Sequence, residues 1–187
     1  MNFFESLAPA HASGGGASSL DAWRERTFCD ARARGLPTPR EEDWKYTDLN
    51  NLSQRSLKSA EPSSAPLPLP LAAISAYRLV FVNGHFDAAS SDLTSLPTAV
   101  SVRFLSELAR TDPERALHAL ARIAPSNAPL FARLNAATTR DGAVIEIAED
   151  TVLDRPLLMI FTTLGANEPR WSAPHVQINA GARSRLQ

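Results

Sequence analysis

The side chains able to do chemistry in this sequence are few: one cysteine, four histidines and a run of three carboxylates. A thiolate could act as nucleophile or metal ligand, but Cys29 stands alone, which excludes an intramolecular disulfide and any site built from two cysteines. Beside Phe28 on a predicted helix it reads as a small core residue. His11, His85, His118 and His175 do not pair at metal-ligand spacing, and neither a His-Glu-x-x-His nor a Gly-x-Ser-x-Gly motif is present. His175 carries the most information of the four. It opens a predicted strand, where a cupin-type metal site would put a histidine, yet the second histidine and the carboxylate of such a site are missing from the pattern. Glu41, Glu42 and Asp43 could hold a metal, but they fall in the first turn of a predicted helix, where the dipole alone favours negative charge. Gly14, Gly15 and Gly16 follow no strand and precede no Lys-Ser/Thr pair, so they make no phosphate loop. The sequence therefore nominates no catalytic, cofactor-binding or metal-ligating residue.

Charge and composition narrow the class further. Nineteen basic and twenty acidic residues give a formal net charge of −1, so no bulk basic field exists to hold nucleic acid. Arg24, Arg26, Arg32 and Arg34 cluster on the first long helix, but Asp21, Glu25 and Asp30 intersperse them, as on a solvated mixed-charge face. No stretch approaches the ~20 apolar residues of a membrane helix. The first ten residues carry Glu5 and no Lys or Arg, unlike a secretory signal. A cytoplasmic protein without a membrane partner is expected, with Cys29 reduced.

The elements that must position these residues are readable from caps and breakers. The glycine run marks residues 1–19 as a flexible lead-in. Ser18 and Asp21 form a capping box, Leu20, Trp23, Thr27, Phe28 and Ala31 recur at helical spacing, and Gly35 with Pro37 stops the helix. Thr38-Pro-Arg-Glu41 predicts a second helix start that carries Trp44 toward a core. Residues 59–70, with Pro62, Pro66, Pro68 and Pro70, read as a semi-rigid linker. Tyr77 to Val82 is a strand apolar enough to be covered on both faces, and Asn83-Gly84 is the favoured type I′ turn into a short return strand. A strand over Ala99 to Arg103 precedes helices over Phe104 to Ala109, after Asp112-Pro113, and after Pro129. From Asp141 the texture changes to short strands at 143–147, 156–161 and 175–178, the pattern of a sandwich, a barrel or a β-solenoid. The chain stops where another strand begins, so a solenoid would be cut off, leaving strand edges through which copies could self-associate.

One segment goes beyond these generic signals. Gly35-Leu-Pro-Thr-Pro-Arg-Glu-Glu-Asp-Trp-Lys-Tyr-Thr-Asp-Leu49 resembles the N-terminal signature of the SufB/SufD family of iron–sulfur cluster assembly proteins, most closely its SufD branch. Leu79 to Phe86 resembles the family's first hairpin, and Leu134 to Ile145 resembles the start of its β-helical core, in the same order. The resemblance covers roughly Leu20 to Gln187. It implies an α+β chain: an N-terminal α-rich domain over 20–140 with a small β-hairpin, then the first coils of a right-handed parallel β-helix over 141–187. It implies a non-catalytic scaffold subunit working with SufB-like and SufC-like (ATPase) partners, with the Fe–S cluster handled by the whole complex and no cofactor in this fragment. The positions proposed for cluster assembly and ATPase docking lie in the family's later segments, so none is carried onto this chain. Trp44 and Tyr46 then serve as anchors of the helical domain. The competing expectation, resting on His175, is a small metal-dependent, cupin-like β-barrel enzyme with a helical extension.

Overall fold

The computed structural model describes residues 2–11, 18–63, 65, 73–165 and 167–186. In chain order these form α1 (Phe3–Ser6), α2 (Ser19–Arg34), a 3₁₀ turn (Glu42–Trp44), α3 (Asn50–Ser53), β1 (Lys58–Ser59), β2 (Tyr77–Val82), β3 (His85–Phe86), β4 (Val100–Phe104), α4 (Leu105–Thr111), α5 (Pro113–Ala121), α6 (Leu130–Thr138), β5 (Gly142–Ile147), β6 (Leu157–Thr162), β7 (Arg170–Trp171) and β8 (His175–Ala180). The glycine run and residues 64 and 66–70 of the Pro-rich segment lie outside the described residues.

The caps act where the sequence puts them. Ser18 Oγ accepts the Asp21 N–H at 3.1 Å and the Asp21 carboxylate accepts the Ser18 N–H at 3.2 Å, which satisfies donors that α2 cannot bond internally. Gly35 takes φ +73° at the other end, a conformation that penalises a side chain. Asp112 caps α5 by accepting the Arg115 N–H. Asn83 and Gly84 both have positive φ, as the type I′ turn between β2 and β3 requires. The second helix start yields only the 3₁₀ turn: Glu41 accepts the Thr38 N–H at 3.1 Å, but the next residues are mostly exposed and charged. Without an apolar face to bury, so short a helix has nothing to offset its nucleation cost.

The lead-in also differs from expectation. Residues 2–11 are not a loose tail: Asn2 and Glu5 make a capping box for α1, and Phe3 is 1% exposed. Phe3 packs with Leu7, Phe28, Leu130 and Leu134, and its ring meets Trp171 edge-on at 5.8 Å. A second helical core joins Leu20, Leu105, Leu120 and Ala136 to Val144 of β5. A third cluster, with Leu79, Phe81, Ile145 and Ile147, lies between the strands. Val80 and Val82, on the opposite face of β2, pack with Ile160, so β2 is buried on both sides as its apolar run predicts.

The strands form three small open sheets, ordered β1-β7, β3-β2-β6 and β4-β5-β8. This is an α+β fold, with no closed barrel among the described residues. Pairing of β1 with β7, β2 with β6 and β5 with β8 is parallel, whereas β2–β3 and β4–β5 are antiparallel. β8 returns onto β5 with Gly142 opposite His175 and Ile147 opposite Ala180. The bridge from Val152 to Arg185 keeps the same interval of 33 residues (142 to 175, 152 to 185). Glycine is needed at both ends of this stack. A Cβ on Gly142 would sit 1.9 Å from the His175 carbonyl oxygen, and one on Gly181 would sit 2.4 Å from the Glu149 nitrogen.

The helical and strand halves meet at Asp141, which is 5% exposed. Its Oδ2 accepts the Phe86 N–H at 2.9 Å, and its Oδ1 accepts the Ser106 N–H at 3.1 Å and the Gly142 N–H at 2.8 Å. Helix α4 has no side-chain cap of its own, so a carboxylate 35 residues away supplies it. Asp141→Ala would leave three main-chain donors without their acceptor and is expected to cost about 3 kcal/mol or more. Urea denaturation of the variant checks this; a loss below about 1 kcal/mol would show that the junction carries little stability.

Candidate functional site

The structure disperses the side chains that sequence alone could nominate for chemistry. Cys29 is exposed, not a core residue: a helix turns about 100° per residue, so burying Phe28 turns its neighbour outward. Glu41 accepts from Arg34 at 2.8 Å, while Glu42 and Asp43 stay exposed. His11 lies 3.2 Å from Glu25, and His85 Nε2 lies 3.1 Å from the Ala60 carbonyl. His118 sits in the last turn of α5, where a basic group complements the dipole. Among the described residues no group of three or more His, Cys, Asp or Glu is placed to hold a metal ion.

His175 is buried at the start of β8, and its Nε2 has no hydrogen-bond partner. Its place opposite Gly142 is set by the bare backbone there. Burial pushes its pKa below the ordinary histidine value. With open sheets and no companion ligands among the described residues, it lacks the surroundings that the cupin-like reading needs.

Of the two aromatic anchors, one holds. Trp44 is half-buried, with its ring 5.5 Å from Phe131 of α6. Tyr46 is 91% exposed, with the Lys45 ammonium 5.5 Å from its ring, and anchors nothing in the core. The first-helix arginines also divide. Arg24 is 2% exposed, donating from Nη1 to the Ala10 carbonyl and from Nη2 to the Thr139 carbonyl, both at 3.1 Å. Desolvation lowers its pKa to about 10, partly countered by Asp21, so it stays charged at neutral pH. It ties the N-terminal segment to the end of α6. The signal was present in the sequence, because Arg24 lies four residues from both Leu20 and Phe28 on the buried stripe.

What the fold concentrates is edge surface. The consecutive strands β6, β7 and β8 each end their own sheet, and each stacks parallel on an earlier strand. Side chains align across these pairs. Phe81 and Phe161 stack at 5.3 Å with 8° between ring planes, and Ile145 faces Ile178. Phe161 and Ile178 remain partly open to solvent at 50% and 42% exposure. Main-chain donors and acceptors at a sheet edge beside open apolar rungs can take up another strand in the same register.

An α-rich segment feeding parallel strand pairs is the setting for the family match: residues 68–159 match the SufBD protein N-terminal region. Over 149 residues the chain is also 31% identical to an iron–sulfur cluster assembly SufBD family protein of Synechocystis sp., covering 76% of this chain and 32% of that protein. The chain is thus similar to the N-terminal portion of SufBD family proteins. It spans about a third of the length of that curated relative. No described helix is long and apolar enough to cross a membrane.

The depressed pKa of His175 makes a stability prediction with a definite sign. The unfolded chain takes up a proton here as pH falls through about 6.5, while the folded chain resists it. Folding stability therefore falls as pH drops below that value and is fully present above it. Urea midpoints at pH 7.5 and pH 5.5 should differ less in His175→Gln than in the parent chain. An equal acid loss in both would remove His175 as a cause.

Proposed function

We propose that the chain is the N-terminal part of a SufD-like, non-catalytic scaffold subunit of a SufBCD-type iron–sulfur cluster assembly complex in the cytoplasm. The observation that carries this reading is the SufBD match over residues 68–159, which runs from the segment before β2 into β6. The β5-to-β8 return is the first coil of a right-handed parallel β-helix in this reading. Its support is the constant 33-residue register and the aligned Phe81–Phe161 and Ile145–Ile178 rungs. The edges of β6, β7 and β8 then take the next coil of the longer protein. In the isolated chain the same edges are where two copies would pair.

The division of labour follows from what these residues can do. This portion builds the first layer of a scaffold and anchors it to a helical cap, with α2 and α6 packed together and the Asp141 carboxylate joining the halves. Contact with SufB-like and SufC-like (ATPase) subunits falls to later segments, and the cluster is cargo of the whole complex.

The test is copurification of the full-length protein with SufB and SufC homologues under anaerobic, low-salt conditions. A stable three-component complex is expected, with the 187-residue chain alone failing to retain the ATPase. Absence of copurification with the full-length protein would overturn the complex, and retention of the ATPase by the short chain would overturn the division of labour.

A further inference from the structure

A cavity of about 210 Å³ opens where α2, α4 and the α6–β5 connection meet, lined by Arg24, Arg110 and Arg140 together with His11, His85 and Ser106. The three guanidinium groups come from three different elements. None forms an ion pair within 4.0 Å among the described residues: Arg24 donates to two carbonyls, Arg140 Nε donates to Ser59 Oγ at 2.8 Å, and Arg110 makes no side-chain hydrogen bond there. Arg24 and Arg140 are close enough to repel each other. Asp21 offsets part of the Arg24 charge, but the neighbouring acids make no ion pair within 4.0 Å to Arg110 or Arg140 among the described residues. Asp141 commits its oxygens to three main-chain N–H groups, Asp21 caps α2 and faces His11, and Glu25 also faces His11.

Gathering like charges around one hollow is unfavourable unless a counter-ion is shared among them. Guanidinium groups offer forked donors suited to tetrahedral oxyanions, and three of them suit a doubly charged one better than a lone carboxylate. We propose that this cavity binds a phosphate-class oxyanion, held mainly by Arg110 and Arg140 at the mouth, with buried Arg24 contributing its fixed charge from the wall. This site stands apart from the strand edges and does not rest on the scaffold reading.

The test is a calorimetric titration of inorganic phosphate into the 187-residue chain, with ionic strength held constant by chloride. Saturable one-to-one binding is expected. Arg110→Ala and Arg140→Ala should each weaken it about tenfold, the loss of one charge-assisted contact. Arg26→Ala, exposed on α2 outside this cavity, should leave it unchanged. Both cavity arginines are exposed, and melting curves in chloride check that each variant folds. A parallel titration with glycerol 3-phosphate separates sources: tighter binding of the ester assigns a phosphate carried on a larger ligand, and tighter binding of phosphate assigns the free ion. No saturable phosphate binding, equal binding of acetate, or phosphate binding unchanged in both arginine variants would overturn the proposal.

Discussion

The structure depends on one buried carboxylate. Asp141 gathers the Phe86, Ser106 and Gly142 amides, so the β2–β3 hairpin, the start of α4 and the start of β5 are fixed to a single point. An ionised oxygen bonding main-chain N–H groups makes a stronger contact than a neutral pair, and leaving such donors buried without an acceptor is costly. The contact therefore does more than hold a turn. It sets where the helical segment ends and the strands begin. Thr139 and Arg24 brace the same corner, Thr139 by bonding the Asp141 carbonyl and Arg24 by bonding the Thr139 carbonyl.

Much of the fold was legible in the sequence because local signals suffice for it. Ser18, Gly35, Asp112 and the Asn83-Gly84 turn each act within a few residues, and the structure realises each one. Two-residue strands such as β1 and β7 are too short to show a period, and their pairing joins Lys58 to Arg170 across most of the chain. Asp141-Gly142 carries a turn signal, and nothing local reveals the bonds of Asp141 to Phe86 and Ser106. Composition groups Arg24 with the solvated arginines of α2, although its position on the Leu20–Phe28 stripe marks it as buried. The family resemblance implies Tyr46 as an anchor alongside Trp44, yet only the tryptophan reaches α6.

These physical features accompany the match to the SufBD N-terminal region. Among the described residues the outer edges of the sheets are β6, β7 and β8, aligned by parallel registers and by glycines that let backbones approach. Behind them, Phe3 of α1 meets Trp171 of β7 edge-on, so one helical core packs directly against a strand.

The account rests on the Asp141 junction acting as one cooperative unit, and native-state hydrogen exchange measures that directly. The amides of Phe86, Ser106 and Gly142 should exchange together, at the free energy of global unfolding, although they lie in three separate elements. Exchange of any one of them through an independent local opening, with the other two still protected, would contradict a single junction that joins the helical and strand halves.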